Sequence, residues 1–135
     1  MRDIRLALHE FLLSDVDIVT MIGDRVYPIK IPQDVSASCI VYTRISDVGD
    51  YHLAGPSGIA APRIQIDAWA PSANRSVTLA NLIKTKIDGF RGVMGSGDSA
   101  VKVLGVFVAD LREDYDDAAK LFRTGRDYFL HHIEL

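Results

Sequence analysis

The segment RIQIDAWA, residues 63–70, alternates apolar and polar side chains with a period of two. This period predicts a β-strand with one apolar face. The apolar face carries Ile64, Ile66, Ala68 and Ala70, and the other face carries Arg63, Gln65, Asp67 and Trp69. A single strand cannot bury its apolar face alone, so this stretch requires neighbouring strands and a second layer against them.

Two pairs of strands are expected to form hairpins. Residues 39–47, CIVYTRISD, are rich in β-branched side chains and predict a strand. They precede RIQIDAWA across a soft, glycine-rich loop, so the two strands most simply pair as a hairpin with an extended tip. Residues 101–111 and 121–133 predict the second hairpin, joined by a polar turn at residues 114–119.

Three helices are expected from the spacing of apolar residues and from capping residues. Apolar side chains three and four positions apart predict a helix over residues 4–12. A short helix over residues 16–22 is closed by Gly23. A long helix begins after Ser72, which caps it, and runs to about residue 90.

The expected fold class is α+β. We predict a mainly antiparallel sheet of about four to five strands built from two hairpins, with two N-terminal helices and one long central helix packed on one face. The chain shows no internal repeat, low-complexity tract or linker. Residues 1–135 are therefore expected to form one domain.

Composition excludes several classes of protein. Apolar residues make up 48% of the chain and charged residues 24%, which is typical of a globular protein and argues against disorder. The net charge of −3 offers no general attraction to nucleic acid or to an anionic membrane. Cys39 is the one cysteine, so no internal disulfide is possible, and no apolar stretch approaches the roughly 20 residues of a membrane helix. We expect a soluble protein made in a cytoplasm.

A search for catalytic or metal-binding motifs predicts none. The glycine-rich stretches at residues 55–58 and 92–97 each lead into a strand, whereas a phosphate loop leads into a helix, so turns are favoured there. His131 and His132 point to opposite faces of a strand and do not share a metal easily. A buried, inert thiol is the favoured interpretation of Cys39. We predict no catalytic residue, no metal and no cofactor.

The acidic run REDYDD, residues 112–117, has two interpretations. Its carboxylates suit acid–base chemistry or a cation, or they belong to a solvated turn between two strands. The turn is favoured because the spacing is not that of an EF-hand loop.

Six stretches in order along the chain resemble one known family, the small tail-completion proteins that join heads to tails in long-tailed phages and prophages. The stretches are IRLALHEFLLSDVDIVTMIGDRVYP (4–28), IPQD (31–34), IVYTRIS (40–46), RIQIDAWA (63–70), LANLIKTKIDGFRG (79–92) and REDYDDAAKLFRTGRDYFLHH (112–132). The most characteristic of them is RIQIDAWA. One departure is Ser38 before Cys39, where the family leads us to expect proline.

The resemblance implies a structural virion protein and not an enzyme. It implies a ring, expected to be a hexamer, at the head-proximal end of the tail, where the ring stops tail growth and docks the filled head. The implied partners are further copies of the chain, the tail tube protein and the head connector protein. DNA passes through such a ring without specific binding. The implied location is the tail and neck of the virion, after a stage in the host cytoplasm.

The glycine-rich loop of residues 51–62 is the expected partner-binding arm, since low charge and glycines suit a segment that orders on assembly. We predict interaction residues from loop position and from the preference of interfaces for arginine and tyrosine. They are Tyr51, His52, Leu53, Pro56 and Arg63. Four acids, Glu113, Asp114, Asp116 and Asp117, either line the lumen of the ring or face solvent.

The alternative to a virion component is a small α+β binding module or dimeric enzyme of unassigned chemistry. A domesticated prophage protein with the same fold is a third possibility. An enzyme predicts a concave site with convergent polar groups, whereas a ring component predicts extensive contact surfaces and loops that order with partners.

Overall fold

The protein places helices against one face of a sheet, an α+β arrangement. The computed structural model describes residues 3–46, 49–52 and 55–133, and for residues 49–52 and 55–57 the backbone alone. The helices in this part of the chain are α1 (Ile4–Leu13), α2 (Val16–Ile22) and α3 (Ala73–Ile87). The strands are β1 (Val26–Pro28), β2 (Cys39–Ser46), β3 (Gly49–His52), β4 (Gly55–Ala60), β5 (Arg63–Ala70), β6 (Gly92–Met94), β7 (Val101–Asp116) and β8 (Leu121–Ile133).

Each α-helix begins at a capping side chain that accepts hydrogen bonds from free backbone amides. Asp3 caps α1, Asp15 caps α2 and Ser72 caps α3. Such caps stabilise a helix by about 1 kcal/mol. At its other end α2 stops at Gly23, which has a positive φ of 64°. The three expected helices are present, although α3 ends at Ile87 and does not reach residue 90 as predicted.

Eight strand segments occupy six positions in one curled sheet, because two positions are each shared by two segments. β5 and β4 lie along the same edge of β8, in one unbroken register from Phe122 to Ile133. β2 and β3 run beside them in the same way. The order across the sheet is therefore β1, β2 with β3, β5 with β4, β8, β7 and β6.

Both predicted hairpins are present, but the predicted loop at residues 51–62 is wrong. β2 pairs with β5 and β7 with β8, antiparallel in both cases. In place of the loop, β3 and β4 continue the first hairpin, with Tyr51 opposite Pro56. The sequence did not predict this extension because its glycines interrupt the alternation that is typical of a strand. The strand forms nevertheless, because pairing of Ile59 and Ala60 with β8 satisfies backbone hydrogen-bonding groups.

The predicted number of strands is also too low. The strand β6 has three residues, too few to show a period of two in the sequence, and β3 and β4 were expected to be a loop. β1 pairs with β2 in parallel, so the sheet is mixed, although its other pairings are antiparallel. β7 runs to Asp116, beyond the predicted end at Leu111, because its charged residues pair across to β8. The turn between them is correspondingly shorter.

One apolar core joins all three helices to the sheet. On the sheet side it contains the apolar face predicted for RIQIDAWA, with Ile64, Ile66 and Ala68, together with Tyr128 and Leu130 of β8. From the helices it contains Ile4, Leu8, Leu12, Ile18, Ile22, Leu79, Ile83 and Ile87. Because side chains alternate along a strand, the other side chains of β5 and β8 project from the face away from this core.

Candidate interaction surfaces

The sheet face away from the helices carries a layer of charged and polar side chains from β5, β7 and β8. This charged layer comprises Arg63, Gln65, Asp67, Arg112, Asp114, Arg123 and Asp127. Asp127 lies at its centre and is 1% exposed. Arg63 Nη2 lies 2.8 Å from Asp127 Oδ2, and Arg112 Nη2 lies 2.6 Å from Oδ1. One carboxylate therefore holds two guanidinium groups from two neighbouring strands.

The charge of Asp127 is stabilised by these two arginines. Burial by itself raises the pKa of a carboxyl group, because it disfavours the charged form. Hydrogen bonds from Arg112 and Arg63 outweigh burial here and hold the pKa of Asp127 below its ordinary value. Arg63 also lies over the ring of Phe129, 5.5 Å from its centroid. Asp127 is thus ionised and paired at neutral pH.

Asp67 is the second buried acid of the charged layer, and only one of its two carboxylate oxygens accepts a hydrogen bond. It lies over Gly125 of β8 and is 4% exposed. Its Oδ2 accepts a hydrogen bond of 2.7 Å from Gln65, while Oδ1 has no hydrogen-bond partner. Burial raises the pKa of Asp67, and Arg123, 3.7 Å away, offsets this only in part.

Arg123 and Trp69 continue the charged layer toward the β7–β8 turn. Arg123 Nε donates to Asp114 Oδ1 at 2.8 Å, and its guanidinium lies 5.4 Å from the centroid of the Trp69 ring. The indole nitrogen of Trp69 is buried and has no hydrogen-bond partner. Buried polar groups in folded proteins are nearly always hydrogen-bonded, so the unpaired atoms of Asp67 and Trp69 are exceptions within the described residues.

A cavity of about 720 Å³ opens at this end of the sheet. Its floor is the polar face of β2 and β5, including Asp67 and Trp69. One wall is the segment of residues 29–36 that follows β1, and another is formed by the β7–β8 turn and Arg123. The two unpaired polar atoms therefore belong to side chains that line one cavity.

The outer edge of β7 is a second candidate surface. Val103 pairs with β8 on one side and with β6 on the other, but β6 covers only Val101–Val103. The backbone amide of Gly89 donates to Val106 O at 3.0 Å, and among the described residues no strand pairs with the outer edge from residue 107 to residue 116. Phe107 is 56% exposed and Leu111 48% exposed along this edge. An unpaired edge with apolar side chains is a site for strand pairing with another chain.

The predicted interaction residues do not form one cluster. Tyr51 and His52 lie on β3 and Pro56 on β4, near the tip of the extended hairpin, and Leu53 lies outside the described residues. Arg63 begins β5, where it is paired with Asp127 in the charged layer. The hairpin tip and Arg63 are therefore two separate features.

The four predicted lumen acids are also divided. Asp114 is paired with Arg123. Asp116 accepts hydrogen bonds from the backbone amides of Ala118 and Ala119 and so caps the β7–β8 turn. Glu113 and Asp117 are exposed to solvent. Asp114 and Asp116 therefore stabilise the local structure, whereas Glu113 and Asp117 are exposed and can contact a partner.

Sequence reasoning missed Asp67, Arg112 and Asp127 as members of a surface. Each of them is a charged residue within a stretch of sequence whose other residues predict a strand. In an antiparallel sheet such charges lie on one face and pair across strands. The partner of each charge depends on strand order, which the alternation does not contain.

The described residues contain no arrangement that suits metal binding or a reactive thiol. No group of three or more histidine, cysteine or acidic side chains that could hold a metal ion is found among them. Burial raises the pKa of the Cys39 thiol to about 11, which disfavours the nucleophilic thiolate. None of the helices in the described ranges has both the length and the apolarity to cross a membrane.

The fold defines a class of α+β protein in which three helices cover one face of a curled sheet and charged residues line the other. A family model described as "Tail completion protein gp17" matches residues 6–124. The chain therefore belongs to the tail completion protein family, and its role is that of a structural tail-completion protein of a virion. A protein with this role works in contact with other virion components.

A solved structure shares the fold of this chain. Its title is "Virion of native gene transfer agent (GTA) particle", and one of its chains superposes with a TM-score of 0.74 at 12% sequence identity. The match covers 93% of this chain and 91% of that chain. No match is found among curated proteins.

Proposed function

We propose that the chain assembles as a ring at the head-proximal end of a phage tail, completes the tail and joins it to the head connector. The observation that carries this proposal is the family match over residues 6–124. The shared fold with a chain of a gene transfer agent virion agrees with it. The partners are further copies of the chain, expected to form a hexamer, the tail tube protein and the head connector protein.

The outer edge of β7 is the surface that best suits contact between copies. A ring needs two different complementary patches on each subunit, because each copy meets its neighbours head to tail. The edge from residue 107 to residue 116 offers unpaired backbone groups and exposed apolar side chains. Pairing with a neighbouring copy satisfies those groups and covers Phe107 and Leu111.

The hairpin of β3 and β4 is the proposed arm toward other virion proteins. Only Ile59 and Ala60 of β4 pair with β8, so the rest of the hairpin is attached to the sheet at one end. Tyr51, His52 and Pro56 near its tip are proposed contact residues, and Leu53, which follows His52 in the sequence, is a fourth. Arg63 at the base of the hairpin is paired with Asp127 in the charged layer instead.

The proposed ring lets DNA pass without specific binding. A lumen that bound phosphates would hold the genome in the channel, because each neutralised phosphate adds salt-dependent affinity. The exposed acids Glu113 and Asp117 suit such a lumen. Asp114 and Asp116 contribute negative charge there while holding Arg123 and the turn.

The alternative, a small α+β binding module or dimeric enzyme, finds one supporting feature in the cavity, which is concave and lined by a carboxyl group of raised pKa. An enzyme also needs a nucleophile or base in hydrogen-bond reach of a second group. Among the described lining residues, Asp67 bonds only to Gln65 and pairs weakly with Arg123. We therefore favour the structural role.

Purified particles test the proposed function. Phage particles from a strain that carries this gene are separated on a density gradient, and the chain is counted by mass spectrometry against the tail tube protein. We expect a fixed small number of copies per tailed particle, and electron microscopy of the neck should show a closed ring. A chain that is abundant in the cell but absent from intact tailed particles shows that the proposal is wrong.

A further inference from the structure

We propose that Asp110 guards the open edge of β7 and controls when an edge strand of a second copy of the chain can pair with it. This inference rests on the proposed function, because it concerns the same contact between copies. In the free chain the Asp110 carboxylate occupies a backbone amide that a neighbouring strand would need. Pairing with another copy therefore requires the carboxylate to move away.

The backbone groups of β7 that face a neighbour follow from its pairing with β8. Along an antiparallel pair, successive residues point their N–H and C=O groups alternately toward the partner strand and away from it. Val106 O accepts a hydrogen bond from Gly89, which precedes β6 on the outer side, so the groups of Val106 point outward. The register shift between Val108 and Asp110 moves the alternation by one residue, and Leu111 therefore points outward as well.

Asp110 covers this outward amide of Leu111. Leu111 N donates to Asp110 Oδ1 at 2.8 Å, so one donor of the open edge is already bonded within its own strand. A strand from another copy can bond to the same amide only after the carboxylate swings out. Charged side chains and bulges protect the edge strands of folded proteins from pairing with other chains, and this stretch of β7 has both.

The charged layer holds the Asp110 carboxylate in place. Asp110 Oδ2 lies 3.5 Å from Arg112 Nη1, and Arg112 Nη2 lies 2.6 Å from Oδ1 of the buried Asp127. The Asp110 side chain is itself 53% exposed, so it can move without disturbing the core. It is therefore positioned in the free chain and released when a partner strand arrives.

Pairing with a second copy begins beyond the guard. By the same alternation, Glu113 and Tyr115 also point their backbone groups outward, whereas β6 covers residues 101–103. The exposed fraction is 48% for Leu111 and 46% for Tyr115, so a neighbouring strand also covers apolar surface. An edge strand of another copy supplies the alternating donors and acceptors that this edge requires, and the proposed ring brings such a copy to it.

Self-association of the purified chain tests the guard. Asp110→Ala removes the carboxylate, and Asp98→Ala makes the same change in net charge at an exposed acid outside β7. Sedimentation velocity over a range of concentrations measures the association of each variant. We expect Asp110→Ala to form oligomers at a concentration at least about tenfold lower than the unmodified chain, and Asp98→Ala to match the unmodified chain. Equal behaviour of the two variants overturns the proposal.

A conservative variant separates the hydrogen bond from the charge. Asp110→Asn keeps an acceptor oxygen beside the Leu111 amide and loses the charge, so it should associate more weakly than Asp110→Ala. If both variants associate equally, repulsion between charges explains the effect and the proposed hydrogen-bond guard is wrong.

A second substitution on the same chain locates the new contact. Leu111→Asp added to Asp110→Ala should remove the gain in association, because it places a charge on the edge. Val16→Asp added to Asp110→Ala should leave the gain intact, because Val16 is an exposed residue of α2. A gain that persists with Leu111→Asp places the association at another surface and overturns the proposal.

Hydrogen exchange on the unmodified chain keeps the proposal testable if the variants fail to fold. Among the outward amides, that of Leu111 has the Asp110 carboxylate as its acceptor. After correction for intrinsic rates, it should exchange at least about tenfold more slowly than the outward amide of Glu113. Equal exchange of the two amides overturns the guard.

Particle assembly separates this proposal from the proposed function. If the unmodified chain is absent from tailed particles, the proposed function is wrong, and the comparison of Asp110→Ala with Asp98→Ala still decides on the guard. If the chain is present in particles but Asp110→Ala associates no better than Asp98→Ala, the guard is wrong and tail completion stands.

Discussion

At the centre of β8, Gly125 lies directly opposite Asp67 of β5, and the carboxylate of Asp67 occupies the space that a β-carbon at position 125 would need. This close approach puts a charged group flat against the sheet, where Gln65 holds one of its oxygens. Because Gly125 has no side chain, the carboxylate of Asp67 can lie at this place in the charged layer. Asp127 lies two residues further along β8, and its buried charge is instead stabilised by Arg63 and Arg112.

Gly125→Ala should lower the free energy of unfolding by about 1–3 kcal/mol, because the new methyl group overlaps a buried carboxylate that is packed between strands. Urea unfolding followed by circular dichroism measures the change. In an Asp67→Ala background the same substitution should cost at least about 1 kcal/mol less, since the clashing group is gone. Equal costs in both backgrounds contradict the close approach.

Asp127→Asn should destabilise the protein at pH 7 by about 1–3 kcal/mol, because the charged hydrogen bonds from Arg63 and Arg112 are weakened or lost while both arginines remain partly buried. The lowered pKa of Asp127 sets the pH dependence. Its stabilisation is complete well above the ordinary value of 3.8 and is lost as the pH falls through the lowered pKa. The variant should therefore lose less stability than the unmodified chain on acidification below about pH 4.

Asp67→Asn is the contrasting variant for this measurement. Burial raises the pKa of Asp67, so its ionised form is disfavoured by folding, and stability falls as the pH rises through that raised pKa. Removing this charge should leave the stability at pH 7 unchanged or higher. A loss at pH 7 as large as that of Asp127→Asn contradicts the difference between the two acids.

At the scale of elements, the first hairpin and β7 extend the sheet beyond its core. The hairpin continues past the end of β8 through β3 and β4, and β7 continues past its pairing with β6 from residue 104 to residue 116. Neither extension adds much to the apolar core, which is built from the helices and the central strands. Elements that add little to stability but keep a regular geometry are suited to contact with other chains.

A shortened hairpin tests the arm without removing its pairing to β8. Residues 51–56 are replaced by Asn-Gly, which joins Asp50 to Ser57 by a two-residue turn between opposite positions of the hairpin. We expect a thermal midpoint within a few degrees of the unmodified chain and a strong loss of infectious titre in a complementation assay. A shortened chain that folds and joins heads to tails normally contradicts the arm.

Leu111→Asp tests the edge of β7. Leu111 is 48% exposed, so the substitution should change the free energy of unfolding by no more than about 0.5 kcal/mol. The new charge should prevent pairing of this edge with another copy and abolish assembly into particles. Val16→Asp on α2 is the matched control, because it places the same charge at an exposed apolar position far from the edge. Normal assembly of Leu111→Asp, with the ring intact, excludes this edge as the contact.

At the scale of the whole molecule, charge is distributed unevenly over a chain whose net charge is only −3. The buried acids are paired within the charged layer or lie in the cavity, and the exposed acids of the β7–β8 hairpin project at one end of the sheet. A ring of copies would repeat this end around its axis. In the proposed ring, this repetition would multiply a small local charge into a field acting on DNA in the channel.

Glu113→Lys combined with Asp117→Lys tests whether these acids line the lumen. Both acids are exposed and neither holds the turn, unlike Asp114 and Asp116, so the fold should be unaffected. We expect slower DNA ejection or stalled assembly, because the lysines would bind phosphates. Asp17→Lys with Asp24→Lys makes the same change in net charge on exposed residues elsewhere and is the control. Unchanged ejection by the test variant places these acids in solvent.

The sequence by itself determined the helices, their caps and the core strands of the two hairpins. Each is a local pattern, such as the alternation of RIQIDAWA or Ser72 before a helical stripe, and it acts over distances of a few residues. The family resemblance likewise depends on stretches that keep their order along the chain. Local patterns end where glycines or charges interrupt them, which is why β3, β4 and the end of β7 were missed.

The charged layer, the cavity and the open edge of β7 were decided only by the tertiary structure. Arg63 meets Asp127 across 64 positions of sequence, and Asp67 meets Gly125 only because β5 and β8 are neighbours in the sheet. Strand order follows from which long-range pairings bury the most apolar surface and satisfy the most backbone groups together. That choice depends on the whole chain at once, so no single stretch of sequence contains it.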